Sequence, residues 1–161
     1  MLFRSRVQAN ILMIEYALAP ESPYPAGLND CLKAYGWLIE QGIDPKNIFI
    51  GGDSAGGNLT LGTLLMIRDR RMPLPRAAFC FSPSTDLTRR GGTFESNARH
   101  DAMLQGERLR AWAAQYLSGV SPDDAYASPI FNDLRGLPPI LIQVGDRELL
   151  LDDSRRFAQA A

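Results

Sequence analysis

The sequence predicts a doubly wound α/β fold, a mostly parallel sheet with helices on both faces, and three observations carry that expectation. Short apolar runs at Asn10–Tyr16, Asn47–Ile50, Ala77–Phe81 and Ile140–Val144 are nearly continuous, the composition of strands buried on both sides. Stretches with apolar residues three and four apart separate them, long enough for crossover helices. Glycine and proline clusters mark the junctions. At 161 residues the chain has room for one core, so a single domain over residues 1–161 is expected.

In chain order, Asn10–Tyr16 reads as a buried strand, followed by an irregular loop punctuated by Pro20, Pro23 and Pro25. Leu28, Cys31, Leu32, Tyr35, Leu38 and Ile39 then repeat with helical spacing, Gly42 is placed to end that helix, and Tyr35 and Trp37 are expected to pack in its interface. Asn47–Ile50 is the second strand, and Ala55 to about Arg70 the second helix, with Arg68, Arg70 and Arg71 favourably placed near its C-terminal end. Ala77–Phe81 is the third strand. From about residue 86 to 138 the rhythm breaks into a polar, glycine-rich interval with one helix near Glu107–Leu117, an insertion over the strand ends. Pro138-Pro139 introduces the fourth strand, Ile140–Val144, and the chain turns helical from Leu149.

A hydrophobic content of 45%, 22% charged residues and a formal net charge of -1 describe a globular chain with no electrostatic footprint for nucleic acid or an anionic membrane. Cys31 and Cys80 give neither a disulfide framework nor metal-ligand spacing, and are expected to be reduced and buried. Arg4 and Arg6 ahead of Ile11-Leu12-Met13-Ile14 faintly imitate a leader peptide, but Glu15 cuts the apolar run short; the strand reading is better and places the protein in the cytoplasm by default.

The most informative run is Gly52-Asp53-Ser54-Ala55-Gly56-Gly57, between an apolar strand and a helical pattern. Gly52-x-Ser54-x-Gly56 has the form of a nucleophile elbow, in which a strand turns sharply into a helix and lifts a serine hydroxyl clear of the sheet. Gly52 and Gly56 are expected there because so tight a turn leaves no room for β-carbons, and Asp53 is expected to brace it. A serine hydroxyl is a poor nucleophile at neutral pH and needs a histidine base oriented by an acid, which follow in the order serine, acid, histidine. Acid candidates at the carboxyl end of the fourth strand are Asp146, Glu148, Asp152 and Asp153.

Tyr16-Ala17-Leu18-Ala19-Pro20-Glu21, Gly51 through Asn58, Ser128-Pro129, and Gly136-Leu137-Pro138-Pro139 with Gln143-Val144-Gly145 together resemble the hormone-sensitive-lipase-type carboxylesterases, in that family's order and over nearly the whole chain. The resemblance implies a three-layer α/β-hydrolase fold, here incomplete, no cofactor and no metal, and hydrolysis of short- to medium-chain carboxylic esters through an acyl-enzyme. Ser54 matches the nucleophile, and the Ala55 amide one oxyanion-hole donor. The family's acid precedes an acidic pair by four positions, which lands on Glu148, with Asp146 in reserve; Asp152 and Asp153 are then read as helix N-terminal carboxylates. Two family parts have no counterpart: the His-Gly-Gly-Gly segment expected upstream of Asn10, and the histidine loop expected beyond the last helix. The only histidine, His100, precedes the acid and reads as a solvated loop residue. Met103, Leu104, Trp112, Tyr116 and Leu117 are candidates either for an acyl pocket or for packing on the sheet. The partners expected are a small ester and a complementing fragment or second copy. The rival expectation is a non-catalytic truncated hydrolase domain whose open sheet edges pair with another chain.

Overall fold

The computed structural model describes residues 9–161, so the leader-like arginines lie outside the described residues. Helix α1 (Ala26–Glu40) follows the predicted apolar spacing. It ends where Gly42 takes φ +77, with Ile43 N–H donating to Leu38 O at 3.2 Å and Gly42 N–H to Ile39 O at 2.9 Å, the paired bonds that glycine permits at a helix C-terminus. Strand β1 (Phe49–Asp53) runs straight into α2 (Ala55–Asp69), and β2 (Ala77–Phe81) follows. The interval after β2 holds α3 (Thr93–Ser96) and α4 (Gly106–Leu117), and β3 (Ile140–Gln143) leads to α5 (Leu151–Ala160).

The sheet is parallel in the order β1-β2-β3, with Gly51 opposite Phe79 and Phe79 opposite Leu141. Alternate side chains therefore divide between its two faces. Cys80, Ile140 and Ile142 meet Leu61 and Leu65 of α2 and Phe157 of α5 on one face. Leu28, Leu32 and Tyr35 of α1 pack on Leu59, Met66 and Ile67 of α2, so α1 forms a layer behind α2. The parallel sheet and its crossover helices follow the expectation. Helices cover only one face among the described residues: Phe49 and Leu141 on the other face are 60% and 64% exposed.

Asn10–Tyr16 departs from the expected buried strand. It has no ladder partner among the described residues, and Met13 is 84% exposed. Strand composition alone does not make a strand, because the backbone donors and acceptors need a neighbouring strand to pair with. Trp37 is likewise exposed, whereas Tyr35 is buried and donates its hydroxyl to Pro73 O at 2.5 Å. Cys80 is buried, with a thiol that desolvation pushes up to about 12; Cys31 is only half-buried, and both are free.

Candidate active site

Ser54 sits at the junction of β1 and α2 with φ 53 and ψ -113, a left-handed backbone that a residue with a β-carbon adopts only under constraint. The constraint is visible. Ser54 N–H donates to Phe81 O of the adjacent strand at 2.8 Å, while Ser54 O accepts from Asn58 N at 3.1 Å and Ser84 N at 3.2 Å. A β-carbon on Gly52 would fall within the backbone of Gly56, and one on Gly57 would lie 2.8 Å from Pro83 Cβ. Gly56 corrects the expectation: a β-carbon there meets nothing within 4 Å, so the close approaches belong to Gly52 and Gly57. Asp53 does not brace the turn either, since its exposed carboxylate accepts no hydrogen bond among the described residues. Bracing comes from Asn58, buried in the first turn of α2, whose side-chain amide donates to Ser84 O at 2.7 Å and Ala127 O at 2.8 Å.

The Ala55 amide is the first of α2 and has no backbone carbonyl partner among the described residues, as helix geometry requires of the first N–H groups. It is therefore free to donate to an oxygen beside Ser54, in the favourable field of the helix N-terminus.

The acid candidates lie in the loop joining β3 to α5. Glu148 is half-buried; its Oε1 accepts from Gly145 N at 2.8 Å, and its backbone carbonyl accepts from the Asn97 side chain at 2.9 Å. Asp146 is exposed, and only its carbonyl is engaged, by Asn97 at 3.2 Å. Asp101 holds the next residue, accepting from Leu149 N at 2.9 Å. His100 is exposed in the turn after α3, and its ring makes no hydrogen bond among the described residues.

Asp152 and Asp153 stand in the first turn of α5, yet they do more than face the helix dipole. Asp153 is fully buried and accepts from Thr85 N at 2.8 Å and Asp86 N at 3.1 Å, with Arg89 Nη1 at 3.7 Å. Burial dominates and pushes its carboxyl up to about 6, against the opposing pull of Arg89 and the two amides. Asp86, equally buried, is held below the usual carboxylate range: desolvation raises it, but hydrogen bonds from Thr88 and Arg156 outweigh that. Asp152 accepts from Thr93 N at 3.0 Å. Among the pocket candidates, Met103 and Trp112 are exposed and Leu117 is buried; Leu117 borders a cleft of about 670 Å³ with Ala113 and Arg89. No group of three or more side chains able to hold a metal ion occurs among the described residues.

A family model for the alpha/beta hydrolase fold matches residues 3–161. A solved esterase of the bacterial hormone-sensitive lipase family superposes with a TM-score of 0.90 at 46% identity, covering 91% of this chain and 50% of that one. This chain belongs to the hormone-sensitive-lipase family of α/β hydrolases. An esterase from Acinetobacter venetianus is 43% identical over 158 residues, 98% of this chain and 52% of the relative. An acetyl-hydrolase from Streptomyces hygroscopicus is 44% identical over 153 residues, 95% of this chain and 51% of the relative. The chain thus spans about half the length of the curated relatives it matches. In this α/β-hydrolase chain the sequence assigns no role to Ser84, Asn97 or Asp101, and includes Asn58 only as the end of the elbow run. Asn58 had a signal, a polar residue inside an apolar helical run; the others lie in polar loops where nothing marks a residue as buried or bonded.

Proposed function

We propose that this chain is the nucleophile-bearing part of a serine carboxylesterase, a single partial α/β-hydrolase domain acting on short- to medium-chain carboxylic esters without a cofactor. Ser54 Oγ adds to the ester carbonyl carbon, and its proton passes to a histidine base that this sequence does not contain. The Ala55 amide donates to the oxygen on which charge develops. Collapse releases the alcohol and leaves an acyl-serine, which water hydrolyses to the acid. Glu148 orients the base, with Asp146 the reserve. The observation that carries this reading is the left-handed backbone of Ser54 at a strand-to-helix turn.

A fluorophosphonate probe tests it on the chain as it stands. The expected result is slow labelling that Ser54→Ala abolishes, with p-nitrophenyl butyrate turnover near background because removal of a triad member leaves only a residual rate. A folded chain that takes no label, or takes it equally without Ser54, overturns the proposal. The second reading, a non-catalytic assembly partner, is favoured by the uncovered sheet face at Phe49 and Leu141. It predicts an inert Ser54 in a chain that pairs with another chain, whereas a complementing fragment would bring activity on mixing.

A further inference from the structure

The loop that leaves β2 connects the two halves of the candidate site. Ser84 N donates to Ser54 O at 3.2 Å, and Ser84 O accepts from Asn58 at 2.7 Å, so this residue is fastened to the nucleophile turn by both its backbone groups, while its hydroxyl accepts from Arg89 at 2.9 Å. Pro83 lies against Gly57 in the same turn. The next two residues are fastened in the opposite direction: Thr85 N and Asp86 N donate to the Asp153 carboxylate, and Thr85 Oγ1 donates to Asp153 O at 2.9 Å. Asp153 stands five residues after Glu148, in the first turn of α5, and Leu151 N of that turn donates to Glu148 O at 3.3 Å. One short segment, Pro83–Asp86, therefore touches the serine turn at one end and the helix behind the acid loop at the other.

We propose that Asp153 is a positioning residue which, through Ser84–Asp86, sets the placement of the Glu148 loop relative to the Ser54 turn. The proposal rests on the reading of Ser54 and Glu148 as nucleophile and acid, but the coupling it describes is a property of the folded chain. Of the other anchors of α5, Asp152 holds Thr93, outside this segment, whereas Arg156 donates to the Asp86 carboxylate at 2.7 Å and supports the same segment through a side chain, leaving the backbone amides of Thr85 and Asp86 to Asp153. A carboxylate is suited to the task because one of its oxygens, Oδ2, accepts both amides while Arg89 offsets its charge.

Amide hydrogen exchange on the full chain tests this residue by residue. In Asp153→Ala, exchange at Thr85, Asp86, Ser84 and Gly145 should rise by roughly tenfold or more relative to the β2 and β3 strand amides. Asp153→Asn, which keeps an acceptor oxygen, should restore all four to within about threefold. Thr85→Val, which removes a single hydrogen bond at nearly constant volume, should give the same pattern at smaller amplitude and serves where the alanine variant does not fold. Leu32→Ala, in the separate α1 cluster, supplies the control for simple loss of stability. The proposal is overturned if exchange rises only at Thr85 and Asp86, which would make Asp153 a local cap, or rises uniformly across the chain. Labelling of Ser54 reads the esterase proposal separately: an inert serine with coupled exchange removes the function and leaves the coupling, and the reverse result removes the coupling alone.

Discussion

The turn at Ser54 and the loop at Glu148 are held in opposite ways. The shape of the Ser54 turn is set within the turn, by the first turn of α2 and the contact between Gly52 and Gly56, and it is then braced by backbone partners at Phe81, Ser84 and Ala127. The Glu148 loop has a short internal exchange, Gly145 N donating to the Glu148 carboxylate and Glu148 N to Gly145 O; its other side-chain anchors come from about fifty residues earlier, Thr93, Asn97 and Asp101. The turn is most sensitive to violation of its own backbone geometry, and next to loss of the Asn58 brace that ties it to Ser84 and Ala127. The loop depends more on its distant side chains.

The largest expected effect attacks the local turn directly. Gly52→Val drives a side chain into the Gly56 backbone and should cost more than about 3 kcal/mol or abolish soluble protein, read by urea denaturation. Gly56→Ala, four positions on, should be neutral or stabilising by up to about 1 kcal/mol, because its β-carbon meets nothing and helix propensity improves. Equal losses at the two glycines would end the claim that only one of them is pressed. Asn58→Ala comes next: it leaves the buried carbonyls of Ser84 and Ala127 without their donor and should cost about 2–4 kcal/mol by the same measurement.

The pH response sharpens the comparison on the acid side. Asp153 titrates near 6 in the folded chain, above an unfolded carboxyl at about 4, so the folded state binds that proton more tightly. Its contribution is fully present below about pH 4 and is lost as pH rises through about 6, by on the order of 2–3 kcal/mol. Asp86 and Asp101 have the opposite sign: each is held low, despite desolvation, by hydrogen bonds, and the stability they contribute is lost as pH falls through the carboxylate range below about 4. Urea midpoints at pH 4.5 and 7 should therefore draw together in Asp153→Asn. The smallest effect is expected for Asn97→Ala, about 1 kcal/mol or less globally, with faster amide exchange at Gly145 that leaves Ser54 unchanged.

This division explains what was legible in the sequence. The strands around Phe49, Ala78 and Leu141, the helices between them and the elbow at Ser54 follow from apolar spacing and glycine placement, which are local properties. Asn10–Tyr16 has strand composition, but pairing depends on a neighbour that composition does not specify. The family's offset from the acidic pair points to Glu148 with Asp146 in reserve, but spacing carries no information about which carboxylate Gly145 N bonds. From the sequence Asp153 is an ordinary helix-start carboxylate; its burial depends on Thr85 and Asp86 arriving from another part of the chain.

The left-handed backbone at Ser54 has one more consequence, for how the chain can change. Serine is a poor occupant of φ 53, whereas glycine adopts that conformation without a β-carbon penalty. Ser54→Gly is therefore expected to raise stability by roughly 1 kcal/mol, balanced in part by the glycine's greater freedom when unfolded. At this position selection for durability and selection for a nucleophile pull toward different residues, and stabilising searches that do not screen for reactivity will tend to erase the serine.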